Sequence, residues 1–436
     1  MRRGFLLLRR LSAVSLVTVL SGMFAPGIAL ATPGERVAQR PPADRQCSDP
    51  GEPIADLPWH QASLDPEKVA PLSDGRGVTV AVIDSGVDSG HPQLSGRVRA
   101  GRDLLFPGGG AGDFDCIGHG TAVASIIAGG GEEGIAFRGY APRAEILPVV
   151  VSEKGADDGE GEPGTASGFA AAIRFAVQAK ARVINISLVL YDDVTPVRNA
   201  VREAVDAGVV VVAAVGNVGK DGAQQTRTPY PAGYPGVIGV GAVDQTGARA
   251  ATSPVGPWVD LMAPGDQVVA AARASGYTRY TGTSFAAPFV SAAAALVISR
   301  EPDLPADQVT KRLLATADPS FGGTPVRAPA NGTGYGFGIV QPLRAVMERP
   351  VEAEPRKPQA LSVYVPEETD PVRARQIRWA LVIALVVIAV AAAAGVAGFA
   401  MPRGRRRGWR PGRAQPPAPR TPAEGNRRLF DDLEED

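Results

Sequence analysis

Three short segments of the chain carry the residue types that nucleophilic catalysis requires. Asp84 ends an apolar, β-branched run, His119 lies between two glycines, and Ser284 opens a long Ala-rich segment. A nucleophilic serine needs a base, the base needs an orienting carboxylate, and the developing oxyanion needs a hydrogen-bond donor. Asn217, after another apolar run, has an amide N–H₂ for that last role. Each residue alone has a structural explanation as a cap, a turn or a packed side chain, but together they predict a hydrolytic Asp-His-Ser site.

An alternation of apolar runs and helical segments predicts the elements that position these residues. Gly77 to Ile83 is a continuous β-branched run, typical of a strand buried on both faces of a parallel sheet. Similar runs alternate with helical segments of about ten residues, which indicates βαβ units. We therefore predict an α/β fold with a doubly wound, mostly parallel sheet and helices on both faces. Further strands are expected near 146–151, 182–187, 209–215 and 236–243, and helices near 122–128, 168–179, 196–207, 305–317 and 341–347.

The segment that follows Ser284 is predicted to be a buried helix. From Phe289 to Ile298 it is apolar on every side rather than along one stripe, which indicates burial all round. Ser284 would lie at the N-terminus of this helix, where free backbone N–H groups and the positive end of the dipole favour negative charge. Asp84 would lie at the carboxyl end of a strand, where open α/β sheets place their working residues.

Both ends of the chain carry hydrophobic segments with basic flanks. Residues 1–31 have arginines, then an apolar stretch, then small residues, which is the pattern of a secretory signal peptide. Ala380 to Met401 holds 22 residues without a charge, and roughly 33 Å of helix is enough to cross a membrane. Trp379 precedes this stretch and arginines follow it, so the positive-inside rule puts residues 402–436 in the cytoplasm. We predict a single-pass protein of the cell membrane with an extracytoplasmic catalytic domain.

Proline-rich, charged stretches without periodicity separate these regions. They act as an extension before the catalytic domain and as a stiff linker after it. The predicted boundaries are a signal peptide at 1–31, an N-terminal extension at 32–58, a catalytic domain at 59–347, a linker at 348–378, a transmembrane helix at 379–401 and a cytoplasmic tail at 402–436.

The composition argues against several classes of function. A formal net charge of +0 gives no basic field for nucleic acid. Two cysteines are too few for a disulfide-rich scaffold or a thiolate metal cluster, and we expect neither a metal nor another cofactor. Two of the three histidines, His60 and His91, are interpreted as structural. The acidic stretch at 153–162 is either a solvated loop or a loop that binds a partner or a cation, and both alternatives stay open.

Three motifs resemble the catalytic signatures of the subtilisin-like serine proteases. They are Val80 to Val87, Gly118 to Ala124 and Gly282 to Pro288, and they follow that family's chain order of Asp, His and Ser. The resemblance covers residues 60–347. It implies the subtilisin-like fold and the hydrolysis of peptide bonds in protein or peptide substrates.

This resemblance implies a role for each candidate residue. Ser284 would attack the peptide carbonyl, and His119 would accept its proton and return it to the leaving amine. Asp84 would hold the tautomer of His119 and stabilise the imidazolium. Asn217, together with the backbone N–H of Ser284, would bind the oxyanion.

A further segment resembles the substrate-binding strand of the family. Ser187 and Leu188 are the residues implied to bind substrate. Val189 and Leu190 follow them at positions where that family commonly has a glycine pair. Larger side chains there would narrow the S1 pocket.

A narrower resemblance is to the mycosins, the membrane-anchored subtilases of actinobacterial type VII secretion. It rests on Pro58-Trp59, on Leu72 to Val87 and on Gly120 to Gly129. It implies that the extension wraps the protease domain, that the substrates are exported proteins, and that the chain works with the type VII secretion membrane complex. A second hypothesis is that the protease fold serves mainly as a docking body in the assembly of that complex.

The mycosin resemblance also accounts for the two cysteines. An exported location permits a disulfide between Cys47 and Cys116, and closing a loop of about 70 residues is worth roughly 4 kcal/mol in the chain-entropy model. Because Cys116 lies just before His119, this bond would hold the extension beside the site. Two free thiols are the alternative.

Overall fold

The computed structural model describes residues 47–106, 108–153, 164–218, 227–321, 324–325, 334–349, 371–406 and 408. The chain divides into two compact units, Met1–Ser362 and Val363–Asp436. The predicted signal peptide lies outside the described residues. So do the first part of the extension and most of the acidic stretch, the linker and the tail.

A parallel sheet of seven strands forms the centre of the first unit. The strands are β1 (Thr79–Asp84), β2 (Arg102–Asp103), β3 (Glu145–Val150), β4 (Val183–Ile186), β5 (Val210–Ala214), β6 (Val237–Val243) and β7 (Leu261–Pro264). Their spatial order is β2-β3-β1-β4-β5-β6-β7, and all neighbouring pairs are parallel. In the centre, Ile83 of β1 is aligned with Val149 on one side and with Ile186 on the other. The β-branched runs are buried because both faces of the sheet are covered.

Helices cover both faces of this sheet. They are α1 (Trp59–Leu64), α2 (Pro66–Val69), α3 (His119–Ala128), α4 (Ala166–Gln178), α5 (Thr195–Asp206), α6 (Thr283–Arg300), α7 (Ala306–Ala315) and α8 (Pro342–Met347). Apolar residues of α3, α6, α7 and α8 form one core cluster, and those of α4 and α5 form a second on the other face. The predicted doubly wound α/β fold is confirmed.

Helix α6 is the element that the first core cluster surrounds. Sixteen of its residues, Thr283 to Ile298, are buried. The helix is long and apolar enough to cross a membrane, but its burial identifies it as a core helix. The prediction of burial on all sides is therefore confirmed.

Several short elements of the first unit were not predicted. They include β7 and the antiparallel pair β8 (Val268–Ala271) and β9 (Tyr277–Tyr280), as well as α1 and α2. The small two-stranded sheet of β10 (Ser320–Phe321) and β11 (Thr324–Pro325) was not predicted either. Each of these missed elements has two to six residues and shows no clear period of 2.0 or 3.6 in the sequence.

The second unit contains one long helix, α9 (Pro371–Arg406). Its stretch Arg378–Arg406 is long and apolar enough to cross a membrane, and it includes the predicted span at 379–401. Helix α9 begins at Pro371, so the last eight residues of the predicted linker at 348–378 are helical. A proline is favourable at the first helical position, and Arg, Ala and Gln are good helix formers, so the helix begins before the apolar stretch.

His60 on α1 is buried in an aromatic cluster of the first unit. Its ring packs against Phe137, Tyr140 and Phe289. Its Nε2 lies 3.2 Å from the carbonyl oxygen of Val269, and this contact selects the tautomer that donates from Nε2. Burial lowers the pKa of His60 to about 3. The structural interpretation of His60 therefore has a physical cause, since the ring is kept neutral.

Acid is expected to destabilise this unit through His60. Histidine in the unfolded chain titrates near pH 6.5, whereas the pKa of His60 in the folded chain is about 3. The unfolded state therefore binds the extra proton, and stability present above roughly pH 6.5 is lost as the pH falls, by about 1.4 kcal/mol per unit. We expect His60→Gln to flatten this part of the stability curve in urea unfolding between roughly pH 6.5 and 5.

The matched control for this prediction is Trp59→Phe, which changes the neighbouring ring of the cluster and keeps the imidazole. Its stability curve should run parallel to that of the unmodified chain. Equal slopes for His60→Gln and the unmodified chain would contradict the assignment.

Candidate active site

The three predicted residues lie at one edge of the sheet. Asp84 is the last residue of β1, His119 is the first residue of α3, and Ser284 is the second residue of α6. Helix α6 packs against α3 and against β4, β5 and β6, so its N-terminus is held at the carboxyl ends of the strands. The ring of His119 contacts the ring of Phe285, with 5.0 Å between the centroids. His119 therefore lies beside the first turn of α6.

Asp84 and His119 form a short hydrogen bond. The distance from Nδ1 of His119 to Oδ1 of Asp84 is 2.7 Å, and Asp84 is 1% exposed. The backbone N–H of Ser85 donates to the same carboxylate oxygen at 2.7 Å. Because the carboxylate accepts the Nδ1 proton, the neutral imidazole carries its basic lone pair on Nε2. The pair has the geometry of a base with an orienting carboxylate.

Ser284 is held by Ser187 in two directions. The hydroxyl of Ser187 donates to the carbonyl oxygen of Ser284 at 2.9 Å, and the hydroxyl of Ser284 donates to the carbonyl oxygen of Ser187 at 3.2 Å. The first bond is possible because Pro288, four residues after Ser284, has no N–H to give to that carbonyl. The carbonyl of Ser284 is thus left without a helical donor, and the hydroxyl of Ser187 donates to it instead.

Asn217 lies directly beside the first turn of α6. Its Oδ1 accepts the backbone N–H of Thr283 at 3.0 Å. The hydroxyl of Thr283 donates in turn to the carbonyl oxygen of Gly216 at 2.9 Å. Because the N–H of Thr283 needs an acceptor, it is the Oδ1 atom of the Asn217 amide that faces Thr283. The Nδ2 donor of the same amide therefore points away from Thr283. The predicted oxyanion donor is therefore near Ser284, held by Thr283.

The two predicted substrate-binding residues occupy different environments. Ser187 is 0% exposed and its hydroxyl donates a hydrogen bond to the carbonyl oxygen of Ser284, so only its backbone is left for a substrate. Leu188 is partly buried and packs against the second core cluster. A β-carbon added to Gly216 would lie 2.7 Å from the hydroxyl of Tyr191 and 3.5 Å from Cγ1 of Val189. The side chain nearest to Gly216 is therefore that of Tyr191, which follows the two residues in place of the glycine pair, and Val189 lies at an ordinary van der Waals distance.

The described part of the extension is joined to the loop before His119. Cys47 and Cys116 form the expected disulfide. Ser48 donates from its backbone N–H to the carbonyl of Cys116 and from its hydroxyl to the carbonyl of Ile117, both at 2.9 Å. Arg273 donates to the carbonyl of Ser48 at 2.9 Å. These bonds connect the extension to two loops of the domain.

Sequence reasoning missed the residues that hold the site in place. Thr283 and Pro288 belong to the third motif, but that motif does not assign either of them a role. A proline within a helical segment is a signal that was available, because it always leaves the carbonyl four residues earlier without its helical donor. Among the described residues, no group of His, Cys, Asp and Glu is arranged to hold a metal ion.

Comparison with known proteins identifies the class. The Subtilase family model (Peptidase_S8) matches residues 75–338, which is more than half of the chain. Subtilisin DY of Bacillus licheniformis is 39% identical over 243 residues, covering 56% of this chain and 84% of that protein. The chain belongs to the subtilase family, and it is a subtilisin-like serine protease.

Solved structures narrow the similarity to the mycosins. MycP1, a serine protease and an essential component of the type VII (ESX-1) secretion system, matches at 32% identity with a TM-score of 0.60. The match covers 70% of this chain and 93% of that one. MycP3, a protease from the type VII (ESX-3) secretion system, matches at 32% identity with a TM-score of 0.55 and the same coverage. The resemblance to the mycosins is confirmed.

Removal of the disulfide is expected to lower the stability of the domain. The two cysteines are 69 residues apart in sequence, and a cross-link of this span restricts the unfolded chain by about 4 kcal/mol. The double variant Cys47→Ser/Cys116→Ser should lose free energy of unfolding of this order in urea unfolding of the full chain in detergent. Reductant should lower the stability of the unmodified chain and leave the variant unchanged. Identical unfolding curves for the two proteins without reductant would refute the prediction.

Proposed function

We propose that this chain is a membrane-anchored serine endopeptidase that hydrolyses peptide bonds of exported proteins in association with type VII secretion. The observation that carries the proposal is the 2.7 Å hydrogen bond between Asp84 and His119 beside the first turn of α6. That turn contains Ser284. A nucleophile, a base and an orienting carboxylate then lie at one sheet edge, as acyl transfer requires.

The proposed reaction starts with a rotation of the Ser284 hydroxyl. It leaves the carbonyl of Ser187, to which it donates at 3.2 Å, and turns to Nε2 of His119. Oγ attacks the peptide carbonyl carbon as Nε2 takes the proton. The imidazolium is stabilised by the Asp84 carboxylate on Nδ1, and it returns the proton to the leaving amine. Water then repeats these steps on the acyl-enzyme and releases the acid product.

The oxyanion of each tetrahedral intermediate is assigned two donors. One is the backbone N–H of Ser284, which is unsatisfied within the helix because it belongs to the first turn. The other is Nδ2 of Asn217, whose amide is oriented by Thr283. Both donors are held before the reaction, so little reorganisation is needed as negative charge develops.

The substrate strand is proposed to run along the backbone of Ser187 and Leu188. The buried side chain of Ser187 supports the nucleophile instead of the substrate. The close approach of the Tyr191 hydroxyl to Gly216 supports a narrow S1 pocket. Small side chains would then be accepted before the scissile bond.

The location and the partner are proposed from the ends of the chain and from its relatives. Helix α9 contains a stretch apolar enough to span a membrane. The signal peptide at 1–31 and the arginines after Met401 support an extracytoplasmic domain at 59–347 and a cytoplasmic tail at 402–436. MycP1 and MycP3 belong to type VII secretion systems, which supports the same membrane complex as the partner of this chain.

A serine-directed fluorophosphonate probe tests the enzyme directly. We expect the full chain in detergent to be labelled and Ser284→Ala to lose labelling completely, because the activated hydroxyl is the group modified. Ser299→Ala, at the other end of α6, is the matched control and should label like the unmodified chain. Absence of labelling in a correctly folded unmodified chain would refute the proposal.

Mass spectrometry of secreted proteins tests the substrate class. We expect Ser284→Ala cells to release at least one exported protein in a longer form than cells with the unmodified gene, since its cleavage is lost. A complete deletion and Ser299→Ala serve as the two controls. Identical secreted proteins in Ser284→Ala and unmodified cells would argue against exported substrates. Secretion that fails on deletion and persists in Ser284→Ala would instead assign the chain's contribution to secretion to an assembly role.

A further inference from the structure

The carboxylate of Asp115 is buried in the loop that precedes α3 and is surrounded by donors. The residue is 0% exposed. Neither the catalytic signatures nor the proposed reaction uses it. Its Oδ1 accepts hydrogen bonds from Oγ of Ser85 at 3.0 Å, from N of Ile117 at 3.1 Å and from N of Gly118 at 2.9 Å, and its Oδ2 accepts from N and Oγ1 of Thr121 at 2.9 and 2.7 Å.

One group of these donors belongs to the start of helix α3. The N-cap of α3 is Gly118, with a φ of 86°, and it has no side chain to cap the helix. Asp115 replaces that cap by accepting the N–H of Thr121 in the first turn and the N–H of Gly118 itself. A negative charge at this position also interacts favourably with the helix dipole. The orientation of the helix that begins with His119 thus depends on Asp115.

The hydroxyl of Ser85 connects Asp115 to the strand end that carries Asp84. Ser85 donates its backbone N–H to Asp84 at 2.7 Å and its hydroxyl to Asp115 at 3.0 Å. The same hydroxyl accepts the N–H of Gly120 at 3.0 Å. A side chain at Gly120 would collide with the carbonyl oxygen of Gly86, so α3 approaches the end of β1 closely. Asp115 therefore joins the two segments that meet in the Asp84–His119 bond.

The hydrogen bonds of Asp115 require the ionised carboxylate, because in that form both of its oxygens only accept. Both oxygens face N–H or O–H donors, which a protonated acid satisfies less completely. Burial raises the pKa of Asp115, and the hydrogen bonds from Thr121 and Gly118 oppose that rise. An asparagine at this position would keep one oxygen but turn an N–H₂ group toward donors.

We propose that Asp115 is a positioning residue, which holds the N-terminus of α3 against Ser85 so that Nδ1 of His119 stays aligned with Oδ1 of Asp84. The inference deepens the proposed function and rests on it for its kinetic consequence. The geometric consequence, an ordered Asp84–His119 hydrogen bond, does not require turnover. The two consequences are therefore measured separately.

The kinetic test uses Asp115→Asn and Asp115→Ala in the full chain in detergent with a peptide substrate. Loss of alignment by about 1 Å is expected to lower kcat by about 100-fold in Asp115→Ala, with a smaller loss in Asp115→Asn because one acceptor oxygen remains. KM should change little, since Asp115 does not touch the substrate strand. Asp244→Asn is the matched control, because Asp244 also accepts two backbone N–H groups and a threonine hydroxyl, in a turn beyond β6.

The geometric test is the low-field proton resonance of the Asp84–His119 bond in chain labelled with isotopic histidine. The chain has three histidines, so few ring signals must be assigned. We expect the resonance to be present in the unmodified chain and in Asp244→Asn, and to be broadened or lost in Asp115→Asn below its melting temperature. Asp115→Asn guards against the case in which Asp115→Ala does not fold.

An unchanged resonance in folded Asp115→Asn, together with an unchanged kcat per folded molecule, would overturn the positioning role and reduce Asp115 to a stabilising residue. Loss of kcat with a rise in KM of the same size would also overturn it, because the residue would then act on substrate binding. An inactive unmodified chain would refute the proposed function. The resonance in Asp115→Asn would still decide whether Asp115 positions His119.

Discussion

The burial of helix α6 on all sides is the constraint on which the rest of the structure depends. A helix enclosed by the sheet, by α3 and by the helices that follow it cannot shift without opening cavities in the first core cluster. Its first turn is therefore fixed relative to the carboxyl ends of β4 and β5, where Ser187 and Asn217 follow. This rigidity brings four segments that are distant in sequence to one edge and keeps them there.

The N-terminus of α6 is buried, so its backbone N–H and C=O groups need hydrogen-bond partners, which the site residues supply. The N–H of Thr283 is accepted by Asn217, and the carbonyl that Pro288 leaves without a donor is satisfied by Ser187. Asn185 extends this set, because it donates to Ser187 and accepts from Ser291 on the same helix. The same hydrogen bonds therefore satisfy buried backbone groups and orient the functional side chains.

Long elements were predictable because their pattern is repeated many times. The β-branched run of β1 and the apolar run of α6 indicate burial on two faces and on all faces, and the structure agrees. The strands β8 and β9, with four residues each, and the helix α1 were missed. Their positions come from contacts with distant residues, such as the bond from Trp59 to the carbonyl of Asp266, and no local period reports such contacts.

The sequence by itself determined the chemical types and their order: Asp84, His119 and Ser284 in motifs, Asn217 after a strand, a cysteine pair and an apolar span near the C-terminus. These features are local, so the chain displays them without folding. Only the tertiary structure decided how they are held. It assigned Ser187 to the support of Ser284, and it made Asp115 the cap of a helix whose own N-cap is glycine. Such roles depend on hydrogen bonds between segments that are far apart in sequence or lie on different elements, and their geometry exists only after the sheet and α6 have packed.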